Sequence, residues 1–460
     1  MSTTPWLLFF ALTYVGYLVG LKRAVALARS GEQKLCSLPR YYGYYVALWT
    51  FVPAALFFFL WRIVEPSVLR HFALGSVSGE SLEALDESQL RLLWSKIQNA
   101  AAGVISVQRV DPEFRPAVST LGDLSSKSGT VLLALFFGVS VLTFGVSISR
   151  INFELQARKF VERAVRVGLF LSSLIAVLTT VGIVFSLIFE SFRFFQIVSP
   201  IDFLFGLKWS PQIAMRADQV ASAGAFGAVP LITGTVLIAF LAMCVAGPLG
   251  LLSAVYLSEY ASKPLRKWAK PMLEILAGIP TVVYGFFAAL TVAPFIRQVG
   301  QSIGLTVSSE SALAAGVVMG VMIIPFVSSL SDDVINSVPQ RLRDGSLALG
   351  ATKSETIRQV ILPAALPGIV GAFLLAISRA IGETMIVVMA AGLAANLTLN
   401  PLENVTTVTV QIVTTLIGDQ EFDSAKTLSA FALGLMLFVV TLIFNIIALY
   451  TVKKYREKYD

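Results

Sequence analysis

Two ionisable side chains stand inside an otherwise apolar stretch, Arg379 and Glu383 in the run Ser378-Arg379-Ala380-Ile381-Gly382-Glu383-Thr384-Met385. A charge at hydrocarbon depth costs about 2.5 to 3.5 kcal/mol on insertion scales, so each must be compensated by something nearby. Four residues apart, the two share one face of an unbroken helix. Two readings are open: a structural ion pair between helices, or a polar station for an ion crossing the membrane. They are the only mid-span ionisable residues between 165 and 460. That argues against a proton-driven carrier with a chain of buried carboxylates.

The second informative stretch runs from Gln340 to Pro363, QRLRDGSLALGATKSETIRQVILP. Its pattern predicts a helix, a break at Gly350, a second short amphipathic helix and a stop at Pro363. Gly350 suits a left-handed cap and Pro363 cannot donate to a helical ladder, so the stretch reads as a rigid bent element that can transmit force. A plain helical hairpin on the membrane surface fits these features equally well. Other chemistry is not supported. One histidine, His71, and two cysteines, Cys36 and Cys244, make neither a His-based metal site nor a disulfide framework. No nucleophile stands with a base inside an apolar run, and there is no Gly-x-x-x-x-Gly-Lys-Ser/Thr phosphate loop. We expect no catalytic residue, no metal and no cofactor, and no ATP hydrolysis by this chain itself.

The elements that position these residues follow from composition. Of 460 residues, 56% are hydrophobic and 14% charged, and the mean hydropathy is +0.78. That balance is wrong for a soluble chain and right for an integral membrane protein. Apolar runs of roughly 17 to 25 residues, the length a helix needs to cross the bilayer, mark nine expected spans. They lie at 5–21, 43–63, 129–148, 167–189, 226–258, 272–296, 311–336, 366–391 and 428–452. The first is short, but Lys22 and Arg23 follow it rather than precede it, so it reads as a span and not as a signal peptide. Alternating the loops between two sides puts 22 Lys and Arg on one side and 11 on the other. The positive-inside rule makes the richer side cytoplasmic, including the tail Lys453, Lys454, Arg456 and Lys458. The same distribution explains the net charge of +7 without nucleic acid. Residues 64–128, with Glu80, Glu83, Asp86, Glu87, Asp111 and Glu113 among their acids, form the one sizeable soluble piece and face outward. They are long enough only for a marginal core. Gly247-Pro248, Pro280, Pro294 and Pro325 are expected to break spans beside a pathway, with Gly278 and Gly285 permitting close packing. Asp332 and Asp333 are expected to solvate the end of the seventh span.

The Gln340–Pro363 stretch resembles the coupling loop of bacterial ABC importer permeases, Glu-Ala-Ala, three residues, Gly, nine residues, Ile, any residue, Leu-Pro. Gly350 and Ala351, Val360 at the Ile position, and Leu362-Pro363 keep the spacing, whereas Asp344-Gly345-Ser346 replace Glu-Ala-Ala. The change to Gly and Ser weakens the first helix by about 1 kcal/mol. Within that superfamily the chain is similar to the phosphate permeases of the PstC type. The similarity rests on Phe203-Leu204-Phe205-Gly206 with Trp209, Tyr256-Leu257-Ser258-Glu259-Tyr260, Ala277-Gly278-Ile279-Pro280-Thr281 through Phe287, and the Arg379–Glu383 run. The resemblance implies an all-α polytopic membrane protein. A six-helix importer permease core at 165–460, with its coupling loop at 337–365, follows an N-terminal extension at 1–164 of about three further spans. It implies a permease subunit of an ATP-driven phosphate importer in the bacterial inner membrane. Arg379 and Glu383 would then line the substrate pathway, the guanidinium offering donors to phosphate and the carboxylate keeping the site weak enough to release it. The implied partners are a second permease of the PstA type, two copies of a cytoplasmic ATPase subunit, a periplasmic phosphate-binding protein and membrane lipid. The alternative is an ATP-independent anion carrier or channel.

Overall fold

Nine helices among the described residues of the computed structural model are long and apolar enough to cross a membrane. The structure describes residues 4–30, 34–77, 87–211, 224–417 and 424–455. Glu80, Glu83, Asp86, Arg456 and Lys458 therefore lie outside the described residues, as does the side chain of Glu87. The chain divides into two compact units, Met1–Val177 and Leu178–Asp460.

The first unit consists of α1 (Thr4–Arg29), α2 (Pro39–Leu74), α3 (Glu87–Ala101), α4 (Arg115–Ser149) and the first part of α5 (Ala157–Ile197). An aromatic cluster joins α1, α2 and α4, with Phe9 and Phe136 ring centroids 4.4 Å apart and Trp6 and Phe58 4.9 Å apart. At 36 residues, α2 extends roughly 54 Å, well beyond a bilayer core. Within the segment expected at 64–128, α2 continues to Leu74 and α4 begins at Arg115. Beside α3 they contribute to a small core that gathers Ala73, Ile97, Val110, Phe114 and Leu121.

The second unit is helical except for a two-residue antiparallel ladder, β1 (Trp209–Ser210) and β2 (Ala225–Phe226), with Trp209 opposite Phe226. It opens with the rest of α5 and the short α6 (Pro200–Phe205). Then come α7 (Val229–Val255), the amphipathic α8 (Lys263–Ala277), α9 (Thr281–Phe287), α10 (Ala293–Ser302) and α11 (Ala312–Ser337). Three single π-type turns, Tyr256–Tyr260, Ala288–Val292 and Ile357–Ile361, interrupt the helical paths. The bent element follows as α12 (Gln340–Ala348) and α13 (Lys353–Thr356), and after it α14 (Leu362–Ile381), α15 (Met385–Ala390), α16 (Val408–Leu416) and α17 (Ala425–Tyr455).

The core of this unit forms where α7 meets α11. In a membrane, helices are held by close packing rather than by expulsion from water, and small residues permit it. A Cβ on Gly320 would stand 2.7 Å from Val245 Cβ, and one on Gly316 would stand 2.6 Å from Leu241 Cβ. Met319 and Ile323 between them are fully buried. The expected sixth span does not begin at 272. Gly278 ends α8 as its cap, making no close helix contact of its own, and Pro280 starts the membrane helix.

Candidate functional site

The bent element is built largely from local signals. α12 ends in a Schellman motif: Gly350 takes φ +87°, its N–H meets Leu347 O at 3.0 Å, and Ala351 N–H meets Ser346 O at 3.2 Å. α13 starts in a capping box, with Thr352 N–H on Glu355 Oε2 at 2.8 Å and Glu355 N–H on Thr352 Oγ1 at 3.3 Å. The Thr-x-x-Glu spacing carried that signal in the sequence. Ser346 and Thr356 hydroxyls lie 2.9 Å apart and tie the two helices together. The expected stop at Pro363 does not occur. The π-type turn Ile357–Ile361 hands the chain directly to α14, with Leu362 N–H on Ile357 O, and Pro363 falls in the first turn of α14, where a missing N–H is tolerated. A continuous helical path thus leads from Lys353 to Ile381.

Around that frame the motif residues take separate places. Asp344 is exposed, and Gln340 Nε2 donates to its Oδ1 at 3.0 Å. Ala351, Val360 and Leu362 are half-buried and Pro363 is exposed. The anchoring apolar residue of the turn is Ile361, 1% exposed, rather than its neighbour Val360. At the corner Leu349 is 90% exposed and Leu347 is also exposed. The two leucines stand bare on an otherwise polar element.

Two charge clusters that sequence reasoning missed hold this region. Arg343 places Nε and Nη2 3.2 and 3.1 Å from Glu259 Oε1, with both side chains largely out of water. Asp332 does not solvate a helix end. It is 2% exposed and accepts both oxygens' worth of bonds from Arg266 Nη2 at 2.9 Å, a third from Lys270 Nζ at 2.9 Å and a fourth from Asn336. Hydrogen bonding to Asp332 is the main reason the Lys270 ammonium is held above its ordinary pKa. Neither pair leaves a local signature, because the partners lie 84 and 66 residues apart.

Arg379 and Glu383 do not form the expected i, i+4 pair. The eighth span breaks between them: α14 ends at Ile381, and Gly382 is its cap. Arg379 sits in the last turn of α14, exposed, with its guanidinium carbon 5.6 Å from the Phe326 ring centroid. Glu383 lies beyond the break and accepts the N–H groups of Met385 at 3.1 Å and Ile386 at 3.4 Å, so its carboxylate caps α15. Thr409 Oγ1 donates to Glu383 O at 2.8 Å and fixes the broken backbone from α16. Among the described residues no carboxylate is paired with Arg379. An unneutralised guanidinium beside a helix break in a membrane can bind an oxyanion through up to five N–H donors.

Comparison with known proteins adds the following. Residues 246–457 match the family model described as binding-protein-dependent transport system inner membrane component. Residues 6–179 match one described as phosphate ATP-binding cassette transporter. A probable ABC transporter permease protein, YqgH of Bacillus subtilis, is 36% identical over 55% of this chain and 78% of its own length. The phosphate transport system permease protein PstC of Mesorhizobium japonicum is 34% identical over 49% of this chain and 73% of its own. A solved chain of the inward-facing MetNI methionine ABC transporter aligns with a TM-score of 0.37 at 21% identity, covering 50% of this chain and 94% of that one.

Proposed function

Because the chain belongs to the ABC importer permeases that include the PstC phosphate transport permeases, we propose that it forms half of the phosphate pathway of an ATP-driven importer. The observation that carries the reading is Arg379, a guanidinium in the last turn of a candidate membrane span rather than at its middle, unpaired with any carboxylate of the described chain and exposed at a break in its helix. A bare charge there is tolerable only if it faces a partner subunit or a water-filled path. Phosphate passing at the interface with a second permease supplies the missing counter-charge in transit, and bidentate geometry favours a tetrahedral oxyanion over chloride. Glu383 acts on the path indirectly: by capping α15 it holds the break in one geometry.

The energy comes from outside the chain. The continuous path from Lys353 into α14 supports a stroke delivered at the bent element by one of two cytoplasmic ATPase subunits, docked on Leu347 and Leu349, the other serving the partner permease. Asp344, Gly350, Ala351, Val360, Leu362 and Pro363 shape that element rather than touch phosphate. The excess of Lys and Arg on its side supports a cytoplasmic placement for it and for the C-terminal tail, and a binding protein delivers phosphate from the opposite face. The partner permease is of the PstA type.

The test is radiolabelled phosphate uptake into proteoliposomes holding the complete complex, with sulfate as control anion. Arg379→Gln is expected to abolish ATP-dependent phosphate uptake while the complex still purifies intact. Uptake at the wild-type rate in that variant refutes the pathway role, and wild-type uptake that proceeds without ATP favours a carrier.

A further inference from the structure

The π-type turn Tyr256–Tyr260 at the end of α7 is gripped by both halves of the bent element. From the first half, Arg343 holds Glu259 through two N–H groups. From the second half, Lys353 Nζ stands 5.0 Å over the Tyr260 ring. The same Arg343 guanidinium reaches the end of α11, donating through Nη2 to Ile335 O at 2.8 Å and through Nη1 to Val338 O. Ser258, on the gripped turn, donates to Asn336 Oδ1 of α11 at 3.3 Å. One side chain therefore joins three elements: α12, the end of α7 and the end of α11.

Two further features bear on motion. Gly350 is not a loose joint, since both Schellman bonds, the capping box and the Ser346–Thr356 contact lock the corner between α12 and α13. The element must then move as one body. Beside it lies a cleft of about 450 Å³, lined by Glu259, Asn336, Gln340, Arg343, Lys353 and Ile357 among others, into which such a movement can close. The gripped turn departs from the regular ladder of α7, because a π-type turn carries one residue more than an α-helical turn accommodates.

We infer that Arg343 is the positioning residue that converts ATPase closure into movement of the two central spans. As the rigid element tips into the cleft, Arg343 pulls the Glu259 turn and the end of α11 with it, so that α7 and α11 move together. This rests on the importer reading above. It also separates two jobs within the element: the exposed leucines hold the ATPase, and Arg343 passes the stroke on.

The experiment uses the complete reconstituted complex with its binding protein, measuring ATP hydrolysis, phosphate uptake and retained ATPase subunit in the same vesicles for wild type, Arg343→Lys, Glu259→Gln and the exchange Glu259→Arg with Arg343→Glu. Lysine keeps the charge but lacks the planar fork that bonds a carboxylate and two carbonyls at once, so Arg343→Lys is expected to retain the ATPase and hydrolyse ATP within about twofold of wild type while phosphate moved per ATP falls about tenfold or more. Glu259→Gln, which leaves the carbonyl bonds of Arg343 in place, is expected to lower the same ratio by a smaller factor, and the exchange, which sets a carboxylate against the carbonyls of Ile335 and Val338, to lower it at least as far as Arg343→Lys. A phosphate-to-ATP ratio equal to wild type in Arg343→Lys overturns the inference. So does loss of the ATPase subunit from both single variants, which would make the pair a holding contact. Wild-type uptake that ignores ATP overturns the importer reading before any variant is compared.

Discussion

The corner at Gly350 and the helix position at Gly345 make a matched pair whose alanine variants should move in opposite directions. A Cβ on either glycine meets nothing within 4 Å, so neither substitution introduces a clash and the backbone alone decides the sign. At Gly350 the backbone is left-handed, φ +87°. An L-residue there costs about 1 to 2 kcal/mol, which at 1.4 kcal/mol per tenfold opens the corner about five to thirty times more often. At Gly345 the backbone is helical within Gln340–Ala348. Alanine there reduces the conformational freedom lost on folding and stabilises the helix by about 0.5 to 1 kcal/mol, a factor of about two to five. Amide hydrogen exchange reads both at the same protons. The N–H groups of Gly350 and Ala351, bonded to Leu347 and Ser346, should lose protection about five- to thirtyfold in Gly350→Ala and gain it about two- to fivefold in Gly345→Ala. ATPase copurification should weaken in the first and hold in the second. Protection that falls in both variants, or that stays at wild type in Gly350→Ala, refutes the locked corner and makes Gly350 a flexible joint.

Two further outcomes test the charge clusters. Asp332→Ala should destabilise the detergent-solubilised protein by about 1 to 3 kcal/mol in denaturant unfolding, below the figure for a fully buried pair because Arg266 and Lys270 are each 33% exposed and can turn to water. Asp333→Ala, whose carboxylate is 66% exposed at 3.3 Å from Lys270, should change stability by less than about 1 kcal/mol, and equal effects of the two would contradict the assignment of Asp332 as the anchor. The raised pKa of Lys270 fixes the sign of an alkaline effect. Its contribution is fully present below the unfolded value of 10.5 and is lost as pH rises through the higher folded value, so unfolding midpoints should fall in strongly alkaline buffer. Lys270→Met should remove that slope, and a slope that persists in the variant assigns it elsewhere.

The spans were legible because membrane insertion is decided locally: a run of apolar residues long enough to cross the bilayer does so whatever it packs against, and nine such helices stand among the described residues near the expected positions. The bent element was legible for a similar reason. Its corner is written in Gly350, a glycine at the position where the chain takes the left-handed backbone, and its second helix in the Thr352–Glu355 box. Where the reading failed, distance was the cause. Pro363 permits the path to continue because a π-type turn precedes it and puts it in a first turn, where its missing N–H is tolerated, and Ile357 and Ile361 of that turn are buried against residues distant in the chain. The Arg379–Glu383 spacing promised a shared helix face, yet the helix ends between them, and Glu383 turns to the N–H groups ahead of it while Thr409 holds its carbonyl from 26 residues on. Arg343 and Asp332 found partners 84 and 66 residues away. Sequence by itself determined which runs are long and apolar enough to cross a membrane and where the Gly350 corner falls, since those depend on each residue's own solvation and backbone freedom. Only the tertiary structure decided which charges meet, because an ion pair's energy depends on the distance and burial that packing alone supplies.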